Sequence, residues 1–409
     1  MHSRRVVIDL LRARGTLSRS DLAAETRLSK PTISAIIAQL IAEGIVQVTG
    51  AGQSTGGRKP ILVRLGGDRK VLAGVEVGAK CCTFVLLSLD GTVLAQRERQ
   101  VDDTEVQAVV TLIVEEMTTF FTTRSWDALI GCGVAVAGVV DPVSDTVRAA
   151  GLGWDDAPLR TLLAARLGVP VMVTDRGKAA ALGELWARGG TPRDAVVYLY
   201  LGEGVGGALV LGGALYNGKD HTAGEIGHMS VDGNGLRCVC GNRGCLEMYV
   251  SSAAIIARAE GRCGVTGIMT LSASAPITVE SLGIAARAGN VAAQTVIAET
   301  ARYLGIAVAN LVNILNPEAV VLSGPTTQWG DLLLDAVRTE VAGRGLAIPL
   351  RTVHILQGQA GATAVSLGAA ALIREQVGEL LAYPRNLSKD VTEHGADTID
   401  TVWHDVVHV

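Results

Sequence analysis

One histidine and three cysteines lie within an eighteen-residue stretch of this chain: His228, Cys238, Cys240 and Cys245. An imidazole and three thiolates form a complete tetrahedral ligand set for zinc, and the glycines between them allow a short loop to surround an ion. Four protein ligands leave no open coordination position, which predicts one structural zinc and no reactive metal-bound water. Buried cysteines beside an unrelated histidine are the alternative, and the spacing favours the metal.

Composition indicates that the segment 228–245 belongs to a globular α/β chain of two or three domains. The 409 residues are 48% hydrophobic, 49 are glycine and aromatic residues make up 3%. Such a chain can bury large cores of small aliphatic side chains, joined by many tight strand-to-helix turns. The sequence has no apolar run of membrane-spanning length and no secretory signal, and its seven cysteines are an odd number. We therefore expect a cytoplasmic protein without a membrane partner.

Charge divides the chain into a basic head and an acidic body. Residues 1–70 carry 12 Lys and Arg against 5 Asp and Glu, a net charge of +7, and the remaining residues carry −11, which gives the whole chain −4. Clustered cations favour a phosphate backbone as partner because binding releases condensed counterions. A solvated basic face would have the same charges, so the choice between a nucleic-acid partner and a solvated surface depends on the sequence pattern of the head.

The head has the pattern of three short helices followed by a hairpin. Apolar residues recur at helical spacing from Val6 to Leu11, Ser18 can cap a second helix, and Ser29 can cap a third that ends at Gly44. The glycine-rich segment 50–65 then predicts two strands around a flexible tip. Three helices and a hairpin in this order predict a winged helix-turn-helix.

The third helix is expected to read DNA. Its apolar stripe leaves a slender polar face that fits a major groove, formed by Lys30, Thr32, Ser34 and Gln39. Arg58 and Lys59, at the hairpin tip, can reach phosphates or a minor groove. SRSDLAAETRLSKPTISAIIAQLIAEGIV followed by GGRKP resembles the winged helix-turn-helix head of ROK-family transcriptional regulators. A small helical protein-interaction module is the alternative.

The body resembles the same family over nearly its full length. Its strand-like runs alternate with helical stretches, and the matching motifs are GCGVAVAGVVDP, LGEGVGGALV, AGEIGHM and NILNPEAVVLSG. The resemblance implies an α/β fold of the actin-like (ribonuclease-H-like), two-lobed sugar-kinase type. We expect a DNA-binding domain at residues 1–66, a ligand-binding domain with the zinc loop at 71–378, and a loose tail at 379–409.

The resemblance also implies a sugar site beside the zinc loop. Sugar hydroxyls donate and accept hydrogen bonds, and Glu225, His228 and Glu247 supply suitable partners. In the family's kinases the matching residues contact sugar hydroxyls, and the histidine reaches both sugar and zinc, so the metal would fix the site. Asp175 matches the position of the kinase general base, although a helix N-cap would explain it equally well. His228 and Glu247 serving only the metal loop is the alternative.

The first phosphate loop departs from the pattern of the family's kinases. They resemble D-x-G-G-T-K, whereas this chain has Glu76, Gly78, Ala79 and Lys80 in the corresponding segment. Ala79 adds a Cβ where backbone should approach phosphate, Lys80 replaces a hydroxyl, and Glu76 lengthens the carboxylate expected near magnesium. Lys80 can still attract phosphate as a point charge. We therefore expect no catalytic residue and no efficient phosphoryl transfer.

These features favour a DNA-binding transcriptional regulator of carbohydrate metabolism, most simply a repressor, whose operator binding changes when a sugar binds in the cleft. An ATP-dependent sugar kinase with an accessory DNA-binding head is one alternative, and a scaffold controlled by another protein is a second. The carboxylates of Asp175, Glu225 and Glu247 would repel a phosphate, so we expect a free sugar. The expected partners are operator DNA, this sugar and further copies of the chain, as a homodimer or homotetramer.

Overall fold

The computed structural model describes residues 2–51, 59–67, 69–141, 143–187, 194–261 and 276–382. These residues form two compact units: a head of residues 2–51, 59–65 and 376–382, and a body of residues 66–375. The body thus ends three residues before the boundary expected at 378, and residues 376–382 pack with the head. The rest of the expected tail lies outside the described residues.

The head contains the three helices and the two-stranded hairpin that the sequence predicts, together with a two-residue third strand and a short helix, Val377–Leu380, that it does not. Its elements are α1 (His2–Arg14), β1 (Leu17–Ser18), α2 (Arg19–Thr26), α3 (Lys30–Ala42), β2 (Val46–Ala51) and β3 (Ile61–Leu65), with sheet order β1-β3-β2. The expected caps are confirmed: Ser18 forms a capping box with Asp21, and Ser29 accepts from the N–H of Thr32. Arg27 turns the chain between α2 and α3 in the left-handed conformation, at φ 59°.

A buried arginine joins residues 376–382 to the rest of the head. Arg4 is 7% exposed, and its Nε donates to the carbonyl oxygen of Leu381 at 2.8 Å. The same guanidinium forms a two-bond ion pair with Glu43, which follows α3. The exposed Arg5 pairs with Glu379 at 3.5 Å. One guanidinium therefore joins α1, the end of α3 and a segment from far along the chain.

The body alternates strands and helices around two mixed sheets. In chain order it contains β4 (Val71–Val77), β5 (Cys81–Ser88), β6 (Val93–Gln100), α4 (Val106–Phe120), β7 (Leu129–Val136), β8 (Val139–Asp141), β9 (Thr146–Ala149), β10 (Trp154–Ala157), α5 (Leu159–Leu167), β11 (Val171–Asp175), α6 (Arg176–Ala187), β12 (Ala195–Leu201), β13 (Val205–Leu211), β14 (Ala214–Tyr216), α7 (Glu247–Val250), α8 (Ser252–Ala259), α9 (Val279–Arg287), α10 (Val291–Leu315), β15 (Ala319–Ser323), α11 (Asp331–Ala342), β16 (His354–Gln357) and α12 (Ala364–Glu375).

The two large sheets repeat one topology. The first has the order β11-β7-β4-β5-β6 and the second β16-β15-β12-β13-β14. In each, three consecutive strands form an antiparallel meander, and two later strands add in parallel beside the first strand of that meander. Each sheet has its own buried apolar cluster. This repeat confirms the expected two-lobed α/β body.

Two helices, α6 and α12, lie between the sheets and pack so closely that glycine is required where they touch. α12 packs on β4, β7 and α6, and α6 also packs on β12 and β13. A Cβ added at Gly368 of α12 would overlap the carbonyl oxygen of Ala179 in α6, and one added at Gly183 would overlap that of Ala364. This close approach fixes the start of α6, where Asp175 ends β11, relative to both sheets.

One helix among the described residues is long and apolar enough to cross a membrane by length and composition. It is α10, with 25 residues, and 61% of its apolar window is buried inside the body. Its buried residues belong to the apolar cluster of the second sheet, as in the core helix of a globular domain.

Candidate functional site

The polar face of α3 has the exposure that DNA reading requires. Lys30, Thr32 and Gln39 are exposed and Ser34 is half-buried, while Ile33, Ile37 and Leu40 are fully buried beneath them. Because Lys30, Thr32 and Ser34 lie in the first turns of α3, the positive end of the helix dipole lies beside them. Lys59 is exposed before β3, and Arg58 lies outside the described residues.

The four expected metal ligands converge. The ligand atoms of His228, Cys238, Cys240 and Cys245 all lie within 4.8 Å of one another. His228 ends the short turn Ile226–His228, and Cys245 pairs with Ser230 in an isolated β-bridge that brings the two ends of the loop together. Between them, Gly241 and Gly244 have φ angles of 92° and 69°, which favour glycine.

The spacing of these atoms fits a tetrahedral zinc ion. Cys238 Sγ lies 3.7 Å from His228 Nδ1, and Cys240 Sγ lies 3.6 Å from Cys245 Sγ. Two thiolates that each lie about 2.3 Å from zinc at a tetrahedral angle are about 3.8 Å apart. Nδ1 is the ring nitrogen of His228 that lies beside a cysteine sulfur, so Nδ1 would face a metal ion and Nε2 would be left for another partner.

The charges of the other expected sugar-site residues act on the Glu225 carboxylate. Burial raises the pKa of Glu225 above its ordinary value, the charge of Asp175 raises it further, and His228 and Lys178 lower it. The charge of Glu247 also raises this pKa. Four residues from three separate segments thus share one electrostatic environment beside the metal loop, which suits a ligand with several hydroxyl groups.

Asp175 is already engaged by the first turn of α6. Its Oδ1 accepts from the N–H of Lys178 at 2.8 Å, and its Oδ2 lies 3.0 Å from Lys178 Nζ. Lys178 is 7% exposed and also donates to the carbonyl oxygen of His221. The helix-cap role considered for Asp175 is therefore present, and the carboxylate is paired with a cation that sequence reasoning missed.

Glu247 links the metal loop to the second glycine loop. It begins α7, two residues after Cys245, and its Oε2 accepts from the N–H of Val205 at 2.8 Å. A Cβ added at Gly204 would lie 2.8 Å from the same oxygen. A glycine at position 204 thus lets this carboxylate reach the backbone of the loop between β12 and β13.

Ion pairs fill the segment expected to be the first phosphate loop. Glu76 Oε1 lies 3.1 Å from Arg176 Nε, and the two side chains are 12% and 9% exposed. Lys80, in the turn between β4 and β5, lies 3.5 Å from Glu203 in the turn between β12 and β13. The lysine considered as a phosphate ligand therefore has an internal carboxylate partner, and Arg176 was not foreseen.

Comparison with known proteins assigns a family to each part of the chain. Residues 72–376 match the model described as the ROK family. Residues 2–47 match the model described as winged helix-turn-helix DNA-binding. Residues 48–71, which include β3 and most of β2, lie between the two matches.

Relatives include regulators and enzymes. The xylose repressor of Bacillus subtilis is 27% identical over 87% of this chain and 91% of its own length. A crystal structure of a ROK family transcriptional regulator, a homolog of the E. coli MLC protein, has a TM-score of 0.77 at 25% identity and covers 93% of this chain and 97% of that chain. The glucokinase of Streptomyces coelicolor is 30% identical over 74% of this chain and 97% of its own length.

Proposed function

The chain belongs to the ROK family, and from that membership we propose that it is a sugar-responsive transcriptional repressor. One observation favours a repressor over a kinase. The repressor and regulator relatives match about nine-tenths of this chain, which includes the head, whereas the glucokinase matches about three-quarters. A kinase needs no DNA-binding head, and a repressor needs both units. We place this repressor in the cytoplasm, where it meets DNA.

The head is the operator-binding domain in this proposal. Lys30, Thr32, Ser34 and Gln39 contact base edges and phosphates of the major groove, and Arg58 and Lys59 contact the flanking backbone. Exposure of the α3 face above a fully buried apolar stripe supports this assignment. Two half-sites would be read by a homodimer, either alone or within a homotetramer.

The body is the effector domain, with a neutral monosaccharide as its ligand. Asp175, Glu225, His228 and Glu247 hydrogen-bond to sugar hydroxyls, and their carboxylates disfavour a phosphorylated sugar. The name of the Bacillus subtilis relative makes D-xylose the first sugar to test. Sugar shifts the equilibrium between two states of the chain by its difference in affinity for them.

Zinc has a structural role in this proposal. Four converging ligands with no open position support it, together with Nδ1 of His228 on the metal side of the ring. The ion would hold the His228 ring in the orientation that presents Nε2 to the sugar. No step of the sugar response requires chemistry at the metal.

Kinase activity is the second candidate because a glucokinase is 30% identical to the body. The paired states of Glu76, Lys80 and Asp175 argue against it, since each of these groups has an internal partner of opposite charge. We propose that the chain is not an enzyme. A phosphoryl-transfer assay with D-xylose or D-glucose and MgATP is expected to give no product above background.

Fluorescence anisotropy tests the proposal directly. Purified protein is titrated onto DNA from upstream of its own gene and of the neighbouring genes, at one stated salt concentration, with and without neutral sugars. We expect one fragment to outcompete bulk DNA and D-xylose to change its affinity at least tenfold. Equal binding to all fragments with no effect of any sugar would eliminate the repressor.

A further inference from the structure

A buried cation lies between the two lobes, at the first glycine loop. Arg176, the first residue of α6, is 8% exposed, and its Nε lies 3.1 Å from Glu76 Oε1 on β4. Its guanidinium carbon lies 6.0 Å from the centre of the Tyr200 ring on β12. Because Glu76 belongs to the first large sheet and Tyr200 to the second, the guanidinium lies in the cleft between them.

The guanidinium covers the surface that a glycine loop would offer to a phosphate. A Cβ added at Gly78 would lie 2.8 Å from the carbonyl oxygen of Cys81, on one side, and 3.4 Å from Arg176 Nη2, which is van der Waals contact. Backbone can approach a phosphate at a glycine only where no other group takes that space. The helix behind Arg176 has little room to retreat, because a Cβ added at Gly177 would lie 2.5 Å from the backbone nitrogen of Gly207.

The position of Arg176 separates the sugar site from this loop. Asp175 of the sugar site pairs in register with Val136 on β7, and Val77 of β4 pairs with the same residue. Asp175 and the first glycine loop thus end at the same edge of the sheet, about 10 Å apart across two strands. Arg176 directly follows Asp175 and its guanidinium lies beside Gly78, so a ligand extending from Asp175 to Gly78 would meet the guanidinium.

The charges around Arg176 also oppose a phosphate. Burial raises the pKa of Glu76, Arg176 lowers it, and Glu203 and Glu98 raise it further, so three carboxylates act on this position. Lys80 is exposed and already pairs with Glu203. One observation favours the reverse: Arg176 Nε is buried and lies 3.1 Å from Glu76 Oε1, but its geometry forms no hydrogen bond among the described residues. An incoming anion would supply that missing acceptor.

We propose that Arg176 is a specificity-determining residue that excludes phosphate groups from the cleft and limits the effector to an uncharged sugar. The proposal rests on the sugar site described under the proposed function. The space that the guanidinium occupies and the surrounding carboxylates prevent a phosphate from binding, and the positive charge of Arg176 does not attract one. A sugar phosphate or a nucleotide fails to bind because its phosphate would have to displace a guanidinium that Glu76 and α6 hold in place.

Two variants distinguish exclusion of a phosphate by the Arg176 side chain from attraction of a phosphate by its positive charge. Glu76→Gln removes one carboxylate and keeps the guanidinium, and Glu76→Gln combined with Arg176→Ala removes both charges and opens the space. The double variant leaves no buried charge without a partner, which favours folding. Calorimetry measures the binding of MgAMP-PNP and of glucose 6-phosphate to each protein, and of D-xylose in parallel. Thermal unfolding of each variant shows that it is folded.

Exclusion predicts that the double variant binds MgAMP-PNP at least tenfold more tightly than the wild type does, while the single variant changes by less than threefold. D-Xylose affinity stays within threefold in all three proteins. A gain in the single variant that equals the gain in the double variant overturns the proposal, because attraction would then explain it. A folded double variant that binds D-xylose and gains nothing overturns it too. Failure of the wild type to bind any sugar would instead reject the proposed function.

Discussion

Replacing Cys245 by serine is expected to weaken sugar binding without a direct contact to the sugar. Cys245 is fully buried, and its Sγ lies 3.6 Å from Cys240 Sγ, the separation of two thiolates on one zinc ion. Serine has a shorter bond to its oxygen and a hydroxyl that resists deprotonation, so it closes the coordination shell poorly. The loop would then lose the zinc ion that we propose orients the His228 ring.

The expected loss of sugar affinity follows from the role proposed for the metal, which is to orient a residue of the sugar site. Loss of an interaction that orients a site residue typically lowers binding about 10- to 100-fold, or roughly 1.4–2.7 kcal/mol. Glu247 lies two residues beyond Cys245 and holds the N–H of Val205, so disorder at the loop would reach a second sugar-site residue. We therefore expect the upper half of that range for Cys245→Ser.

The assay is calorimetric titration with D-xylose, with the zinc content of each sample measured by atomic emission. Cys132→Ala is the matched control, because Cys132 is fully buried in the cluster of the first sheet and is not among the four converging ligands. The control is expected to lower stability while leaving zinc content and sugar affinity unchanged. Wild-type sugar affinity in a zinc-free Cys245→Ser protein would refute the reasoning.

Three further outcomes are expected. Lys30→Ala should weaken operator binding about equally across DNA sequences and reduce the slope of log affinity against log salt by about 1, as measured by anisotropy at four salt concentrations. Arg4→Ala should lower the free energy of unfolding of the head by about 3 kcal/mol in urea, because Glu43 loses the buried arginine that pairs with it. Arg5→Ala, at an exposed ion pair, is the control and should change this free energy by less than about 1 kcal/mol. Gly368→Ala should cost about 1–3 kcal/mol because its Cβ would meet backbone of α6, whereas Gly343→Ala, with nothing nearer than 3.7 Å, should be neutral or slightly stabilising in thermal unfolding.

Local signals explain which features the sequence predicts well. Ser18 and Ser29 cap their helices through backbone groups three residues away, so each cap depends on adjacent residues alone. His228 and Cys245 bound a loop of eighteen positions, and their ligand chemistry is recognisable by residue type. The polar face of α3 follows from helical spacing, although its DNA contacts stay a prediction.

Non-local pairing explains what the sequence does not predict. Glu76 and Arg176 are one hundred positions apart, and no spacing rule joins a strand carboxylate to the first residue of a distant helix. Lys178 resembles an ordinary helix residue until the fold places its ammonium against Asp175 and His221. The sequence pattern also places residues 376–378 in the body, because the helix that these residues begin packs on α1, which is more than 360 positions away in the sequence.

The bond from Arg4 to Leu381 spans 377 positions and so sets an order of events during synthesis. A ribosome finishes the three helices of the head early, but the segment that packs against α1 emerges only after the whole body has been translated. Until then Arg4 lacks one of its two partners. A nascent or prematurely stopped chain therefore lacks the segment that packs against α1 in the complete head.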